Sequence, residues 1–256
     1  MPELPEVERA VGVLRKAVVG NRIASLQLLH PALKRQLAPR VLRTLKGARI
    51  TAVTRRGKHQ MVMLDDGRTL HVHFRMSGDW EVLEQGEELA KSVRAVLSLE
   101  NGSRIAFVDP RALGTMAVHA AGVDGAPGLG PEANDPALTG KQLRAAFAGK
   151  RGPIKPALLD QAVIAGVGNI YAAESLWHAK IDPRRKAADL SAREVSSLLA
   201  ALRKVLKRAT GARYTEDASR FDVYGRAGKP CRRCGHEIER IVQAGRSTYF
   251  CAHCQQ

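Results

Sequence analysis

The chain of 256 residues carries 41 Lys+Arg against 25 Asp+Glu, a formal net charge of +16 and a pI near 10.2. A surplus that size points to a polyanion, nucleic acid before anionic membrane, since no basic amphipathic helix with aromatic anchors stands out. The 45% hydrophobic content holds no membrane-length apolar run, aromatics are only 4%, and all four cysteines follow residue 230, which argues against a membrane protein, a single-strand stacking platform and a disulfide-stapled secreted fold. Cytoplasm is the default compartment.

The opening, MPELPEVERA, lacks the basic start and apolar run of a secretory leader. Pro5 suits a first helical turn and the carboxylates of Glu6 and Glu8 suit a helix N-terminus, while Val7, Ala10, Val11, Leu14 and Val18 recur at helical spacing. A helix from about residue 5 to 19 is predicted, which leaves Pro2 and Glu3 unexplained. From about residue 22 to 120 the pattern is short and β-like. Segments 49–55, 59–64, 69–75, 93–99, 104–108 and 115–119 lie between turn signals such as Asp66-Gly67 and Asn101-Gly102. Many short strands at that spacing predict an antiparallel sandwich or barrel. Residues 120–136, rich in Gly, Pro and Asp, read as a linker. Helical periods follow at 139–150, 153–164, 169–181 and 191–209. The last opens on a Ser191/Glu194 capping-box signature and closes on Arg203, Lys204, Lys207 and Arg208, where the helix dipole favours cations. A small tail, 225–256, completes an α+β chain.

That tail carries the strongest chemical signal. Cys231-x2-Cys234 and Cys251-x2-Cys254, sixteen residues apart, have the two-knuckle spacing of a structural zinc site. Four thiolates leave no open coordination position, so the ion organises the tail and does not react. Between the knuckles, Arg246 on a Gly-containing turn suits a phosphate grip, against the plainer reading of a solvated surface arginine. In AGVGNIYAAES, glycines precede Asn169 at a helix start, which is either an ordinary turn and cap or an anion site. Lys58 lies in RRGKHQ, whose usual reading is a solvated basic turn. Along TLHVHFRMSGDW the alternation sends Leu70, Val72 and Phe74 to one face and His71, His73 and Arg75 to the other. Met76 then stands at the strand end, and Arg111 and Leu113 occupy a turn in DPRALG. Exposed Met, Arg and Leu on loops of a basic protein are suited to wedging into a base stack; core packing of Met76 and Leu113 is the commoner fate.

Pro2 now acquires a reading of its own. A proline after the initiator normally leads to removal of Met1, which leaves a secondary amine. An α-amino group has a pKa of about 7.7–8.0, and surrounding positive charge lowers it. Such an amine can attack a sugar C1′ and form a Schiff base, with the adjacent Glu3 moving protons at the sugar.

Taken in order, PELPEVE, RRGK, H-x-x-MSG, DPR-x-x-G, GVGNIYA-x-E, VYGR and the CxxC pairs resemble the formamidopyrimidine-DNA glycosylase (Fpg) family across essentially the whole chain. The resemblance implies an N-terminal antiparallel β-sandwich with a leading helix (1–120), a linker (121–136), a helix–two-turn–helix domain (137–224) and a four-cysteine zinc finger holding one Zn2+ (225–256). It implies a monomer of the bacterial cytoplasm or nucleoid that acts on double-stranded DNA containing a damaged base or abasic site. Such enzymes flip the base, cleave its glycosidic bond and nick the strand by β,δ-elimination. By resemblance, Pro2 is the nucleophile, Glu3 its proton-transfer partner and Lys58 a phosphate-contacting aid to elimination. Glu6 is an acid near the lesion. Met76, Arg111 and Leu113 fill the void, with Arg111 facing the orphaned base. Asn169 and Arg246 clamp phosphates, and Lys155 and Tyr224 lie near the DNA backbone.

Two departures bear on the substrate. Leu113 stands where the family usually has Phe, so it can unstack a step but cannot stack on the partner base. The stretch 210–226 is shorter than the family segment carrying the loop that covers a flipped 8-oxoguanine, and glycosylases of the endonuclease VIII type also manage without that loop. The expected substrates are oxidised purines, formamidopyrimidine before 8-oxoguanine. The alternatives are the same chemistry on oxidised pyrimidines or abasic sites, or a zinc-ribbon protein that binds damage without cutting.

Overall fold

The computed structural model describes residues 2–211 and 220–256. Met1, with its expected removal, and residues 212–219 of the short 210–226 stretch lie outside the described residues. The chain forms two compact units, dividing after Pro127.

In the first unit, α1 (Leu4–Val18) leads into β1 (Ile23–Leu28) and two short helices, α2 (Pro31–Lys34) and α3 (Pro39–Thr44). Seven strands follow: β2 (Ile50–Arg56), β3 (His59–Leu64), β4 (Thr69–His73), β5 (Asp79–Leu83), β6 (Val93–Leu99), β7 (Arg104–Val108) and β8 (Thr115–His119). Among the described residues they pair antiparallel in two four-stranded sheets, β1-β6-β7-β5 and β2-β3-β4-β8, the expected sandwich. β1 and β5 fall where no strand was predicted. Leu70, Val72 and Phe74 turn inward as their alternation requires, and the rings of Phe74, Trp80 and Phe107 meet with centroids 5.2–6.3 Å apart. The α1 stripe of Val7, Ala10, Val11, Leu14 and Val18 is wholly buried in the same core. Each large aliphatic side chain so buried contributes about 1.5–3 kcal/mol.

The second unit holds α4 (Gly140–Ala148), α5 (Ile154–Leu159), α6 (Asn169–Ala179), a 3-10 turn at Ala187–Asp189, α7 (Ala192–Ala209), and the hairpin β9 (Glu239–Gln243) and β10 (Arg246–Phe250). The second half of the stretch read as a linker belongs to this unit. Gly130 N donates to Gln161 O at 2.8 Å, Ala165 N to Pro131 O at 2.8 Å, and Ala133 is fully buried. The amphipathic α7 buries Val195, Leu198, Leu199, Leu202, Val205 and Leu206, a 3.6-residue stripe.

The predicted capping box is present: Ser191 Oγ accepts from Glu194 N at 3.3 Å and Glu194 Oε2 accepts from Ser191 N at 2.8 Å. Arg185 beside Glu194, together with the Ser191 donors, holds the Glu194 carboxyl down at about 2. Ser191→Ala should therefore cost about 1 kcal/mol at neutral pH, read by denaturant unfolding. Because the folded-state pKa is depressed, the Glu194 contribution is present above its ordinary value of 4.5 and is lost as pH falls from there through about 2. A Glu194→Gln variant should converge on the parent's stability across that window.

Candidate active site and nucleic-acid interface

Capping accounts for more of the N-terminus than the sequence suggested. Glu3 is the N-cap of α1 and accepts from the backbone of Glu6, while Glu6 Oε2 accepts from Glu3 N at 3.0 Å. Both carboxylates are buried, Glu3 at 1% exposure, where the helix dipole favours negative charge. Glu8, expected to serve the dipole, instead accepts from Arg55 Nε of β2 at 2.8 Å, and Arg9 pairs with Asp79 of β5. One pair reaches each sheet, so the start of α1 is pinned to the sandwich as a whole. Pro2 is buried ahead of the cap, where the helix has no use for it.

Lys58 corrects the solvated-turn reading. The β2–β3 turn places Gly57 at φ 58° and leaves Lys58 only 8% exposed, while Arg55 is held by Glu8 and by the Gly57 carbonyl at 2.8 Å.

The two loops expected to act as wedges share a fixture that motif reading missed. Buried Asp109 accepts from the Ser77 hydroxyl and, at 2.7 Å, from Gly114 N; Ser77 Oγ in turn accepts from Arg111 N at 3.3 Å. One carboxylate thus ties the Met76 loop to the Arg111–Leu113 loop. Gly114 is required, because a Cβ there would stand 2.5 Å from Phe107. Arg75 and Ala112, immediately before Met76 and Leu113, adopt left-handed backbone at φ 55° and 52°. Met76 is half-buried, Arg111 is exposed and Leu113 is 45% exposed, so core packing does not account for Leu113.

In the second unit, Asn169 and the hairpin are joined by a buried cation. Lys155, at 0% exposure, donates Nζ to Asn169 Oδ1, to Ser247 O at 3.0 Å and to Thr248 Oγ1 at 2.8 Å; Asn169 Nδ2 donates to Ser247 O at 3.0 Å. Lys155, expected near the DNA backbone, is buried behind Asn169 and positions it beside β10. The turn Ala244-Gly245, at φ 48° and 71°, presents Arg246 exposed at the hairpin tip.

Tyr224 is half-buried edge-to-face against Tyr249, centroids 5.2 Å apart, and its segment is held by a residue that sequence reasoning passed over. Buried Glu174 accepts from the amides of Asp222, Val223 and Tyr224, each at 2.9 Å. Burial raises its pKa, with those amides pulling the other way. The available signal was an acid on the otherwise apolar helix NIYAAES.

The four cysteines gather as the spacing requires. Cys231 and Cys254 Sγ lie 4.0 Å apart and Cys234 and Cys251 Sγ 3.5 Å apart, bracketing the ~3.8 Å edge of a tetrahedron with zinc–sulfur bonds of about 2.3 Å. Burial opposes ionisation of Cys231, yet the Arg233 amide and Trp177 indole N–H bring its pKa down to about 6, nearer the thiolate that a metal takes. The donor set fits one structural Zn2+. Trp177 of α6 roofs the site, with Nε1 3.4 Å from Cys231 Sγ and the Arg233 guanidinium 4.0 Å above its ring.

Family models match residues 1–116 (Formamidopyrimidine-DNA glycosylase N-terminal domain), 129–219 (Formamidopyrimidine-DNA glycosylase H2TH domain) and 228–256 (Zinc finger found in FPG and IleRS). This chain belongs to the formamidopyrimidine-DNA glycosylase family. The formamidopyrimidine-DNA glycosylase of Paracoccus denitrificans is 40% identical over 283 residues, covering 100% of both chains. Two solved structures of Lactococcus lactis Fpg each share 30% identity over 100% of both chains. One, with DNA containing N7-benzyl-Fapy-dG, superposes at a TM-score of 0.91, and one with DNA containing an oxidised pyrimidine at 0.90. Among the described residues no helix is long and apolar enough to cross a membrane.

Because Trp177 sits on the thiolates, stripping zinc with a chelator should change its fluorescence and free Arg233 from its ring. Trp80, in the other unit's core, should stay silent. An emission change that persists in Trp177→Phe would place the zinc-sensitive indole elsewhere.

Proposed function

We propose that this family member removes oxidised purines from duplex DNA and nicks the strand through an amine supplied by Pro2. Glycosylase and abasic-site lyase activity on oxidised DNA is the family's chemistry, and zinc contributes structure alone. The observation that carries the residue-level reading is the division of labour at the N-terminus. Glu3 and Glu6 satisfy the helix, two ion pairs seat it, and Pro2 is buried without serving either purpose.

In the processed chain the proline nitrogen carries a lone pair. It attacks C1′ of the flipped nucleotide, forming a C–N bond as the glycosidic bond breaks and its electrons leave with the base. Ring opening needs a proton at O4′, which Glu3 delivers; the nitrogen loses its own proton and becomes an iminium Schiff base. Loss of the C2′ proton then expels the 3′ phosphate, and a second elimination expels the 5′ phosphate, with Lys58 at the phosphate. Met76, Arg111 and Leu113 enter the emptied stack, Arg111 towards the orphaned base. Asn169 and Arg246 take backbone phosphates, Lys155 holds them in register, and Glu6 and Tyr224 border the bound strand. We place the domains at 1–120, 137–224 and 225–256, with the second half of the 121–136 connection packed onto the helical domain, in a monomer of the bacterial cytoplasm or nucleoid.

Two observations favour a second substrate reading. Exposed Leu113 brings no ring to the partner base, and the short 210–226 stretch has little chain from which to cover 8-oxoguanine, so the same machinery would work on oxidised pyrimidines or abasic sites.

Borohydride trapping on duplexes carrying 8-oxoguanine opposite cytosine, beside an abasic duplex, separates these readings. Adducts on both support the oxidised-purine enzyme, and an adduct on the abasic duplex alone supports the second reading. Pro2→Gly or Glu3→Gln should abolish or cripple nicking; glutamine keeps the capping oxygen, so a loss in that variant reports proton transfer and not helix fraying. Unaltered nicking in both variants would overturn the assigned site and leave a damage-binding role. Arg246→Ala should weaken binding equally on all sequences and reduce the salt slope by about 1; an unchanged slope removes Arg246 from the clamp.

A further inference from the structure

The outer face of the β2-β3-β4-β8 sheet carries a row of imidazoles that neither the core nor the proposed chemistry uses. His71 stands at its centre. Its Nε2 lies 2.8 Å from His59 Nδ1 on β3, and its Nδ1 lies 3.4 Å from His119 Nε2 on β8. The His59 and His71 rings are nearly coplanar, centroids 5.0 Å apart and 15° between planes, and His73 meets His59 edge-on at 4.6 Å. In strand register His59 faces His73 and His71 faces Met61. Residues 120–127 run over the row: a Cβ on Gly125 would stand 3.3 Å from His119 and 3.6 Å from His71.

Two roles compete for such a row, a proton-driven switch and a metal site. Burial first, and then the charges of neighbouring groups, lower all three rings: Arg75 acts on each, Lys58 on His59 and His73, and the other imidazoles on His71 and His73. His71 comes to about 4 and His73 to about 3, while Asp124 pulls His59 and His71 the other way. His71 and His73, which charge only in that range, do not switch near neutrality, and burial biases His59 the same way. They stay neutral, which is the form that ligates divalent transition ions. At about 2.0–2.1 Å from one ion, two imidazole nitrogens stand roughly 3.3 Å apart in a tetrahedron and roughly 2.9 Å apart at a right angle, so the 2.8 Å His59–His71 separation matches the right-angle coordination of nickel or copper.

We propose that His59 and His71 form a second metal site, distinct from the four-cysteine finger, which takes one divalent transition ion of the zinc–nickel–copper class in place of the proton they share. His119 fixes the far nitrogen of His71 and so orients the ligand, the usual task of an outer partner. The ion would stand one residue from Lys58 and add positive charge to that hairpin.

A rival lies in the finger itself. Cys234, His236 and His253 also bring donor atoms within 4.8 Å of one another, and the two imidazoles stack at 4.1 Å. The test uses the full chain with its zinc loaded and Ni2+ as the probe, an ion that imidazole suits. Calorimetry should show one Ni2+ bound with zinc retained, and the absorption should lack a thiolate-to-metal charge-transfer band. His71→Gln should weaken that binding at least about tenfold, and His119→Gln should weaken it about tenfold with the stoichiometry kept. His59→Gln serves as the second ligand variant should His71→Gln fail to fold. Loss of Ni2+ binding in His236→Gln with retention in His71→Gln, a thiolate charge-transfer band, or no Ni2+ uptake at all would each overturn the proposal.

Discussion

The seating of α1 is the constraint on which the catalytic reading depends. A terminal amine is the most mobile group a chain possesses, and it becomes a usable nucleophile only when something removes that freedom. Here the apolar stripe of α1 lies in the sandwich core, Glu8 reaches one sheet, Arg9 reaches the other, and the reciprocal Glu3/Glu6 cap stops the first turn from fraying. The ion pairs are worth little as stabilisation in isolation. Their value is geometric, since they fix the direction in which the chain leaves the helix, and so where Pro2 stands.

The same economy recurs wherever two distant segments must meet. Asp109 joins the Met76 loop to the Arg111–Leu113 loop, Lys155 joins Asn169 to the finger hairpin, and Glu174 holds the segment 222–224. In each case a charged group has been taken out of water, which is unfavourable unless its hydrogen bonds are replaced, and several replacements are supplied at once. Removing one such group would leave its buried partners unpaired, so these residues are more sensitive than their distance from the chemistry suggests.

Periodicity made most elements legible: α1, six of the sandwich strands, the four later helices and the finger. It missed β1, where a register irregularity between Ile23 and Ser25 breaks the alternation, and β5, which begins two residues after Ser77 with exposed Glu81 and Val82 side by side. Among site residues, the cysteines were legible because metal geometry imposes a spacing. Arg246, Asn169, Met76, Arg111 and Leu113 stood out as candidates because each sits at or beside an element's end. The buried charges were not. Composition places lysine and aspartate on the surface, and what brings Lys155 or Asp109 inside is a partner far along the chain. Lys155 bonds residues more than ninety positions away, and no local pattern records such a contact.

The left-handed residues Arg75 and Ala112 carry a mechanical consequence. Neither is glycine, so each holds its backbone at a cost of about 1–2 kcal/mol that its surroundings must enforce. A loop held in that way has no cheap neighbouring conformation to relax into when pushed. Met76 and Leu113 follow directly, so force applied to their tips meets a stiff mount. In the proposed insertion, between such a mount and a stack of bases that opens for a few kcal/mol per step, the duplex is the part that would yield.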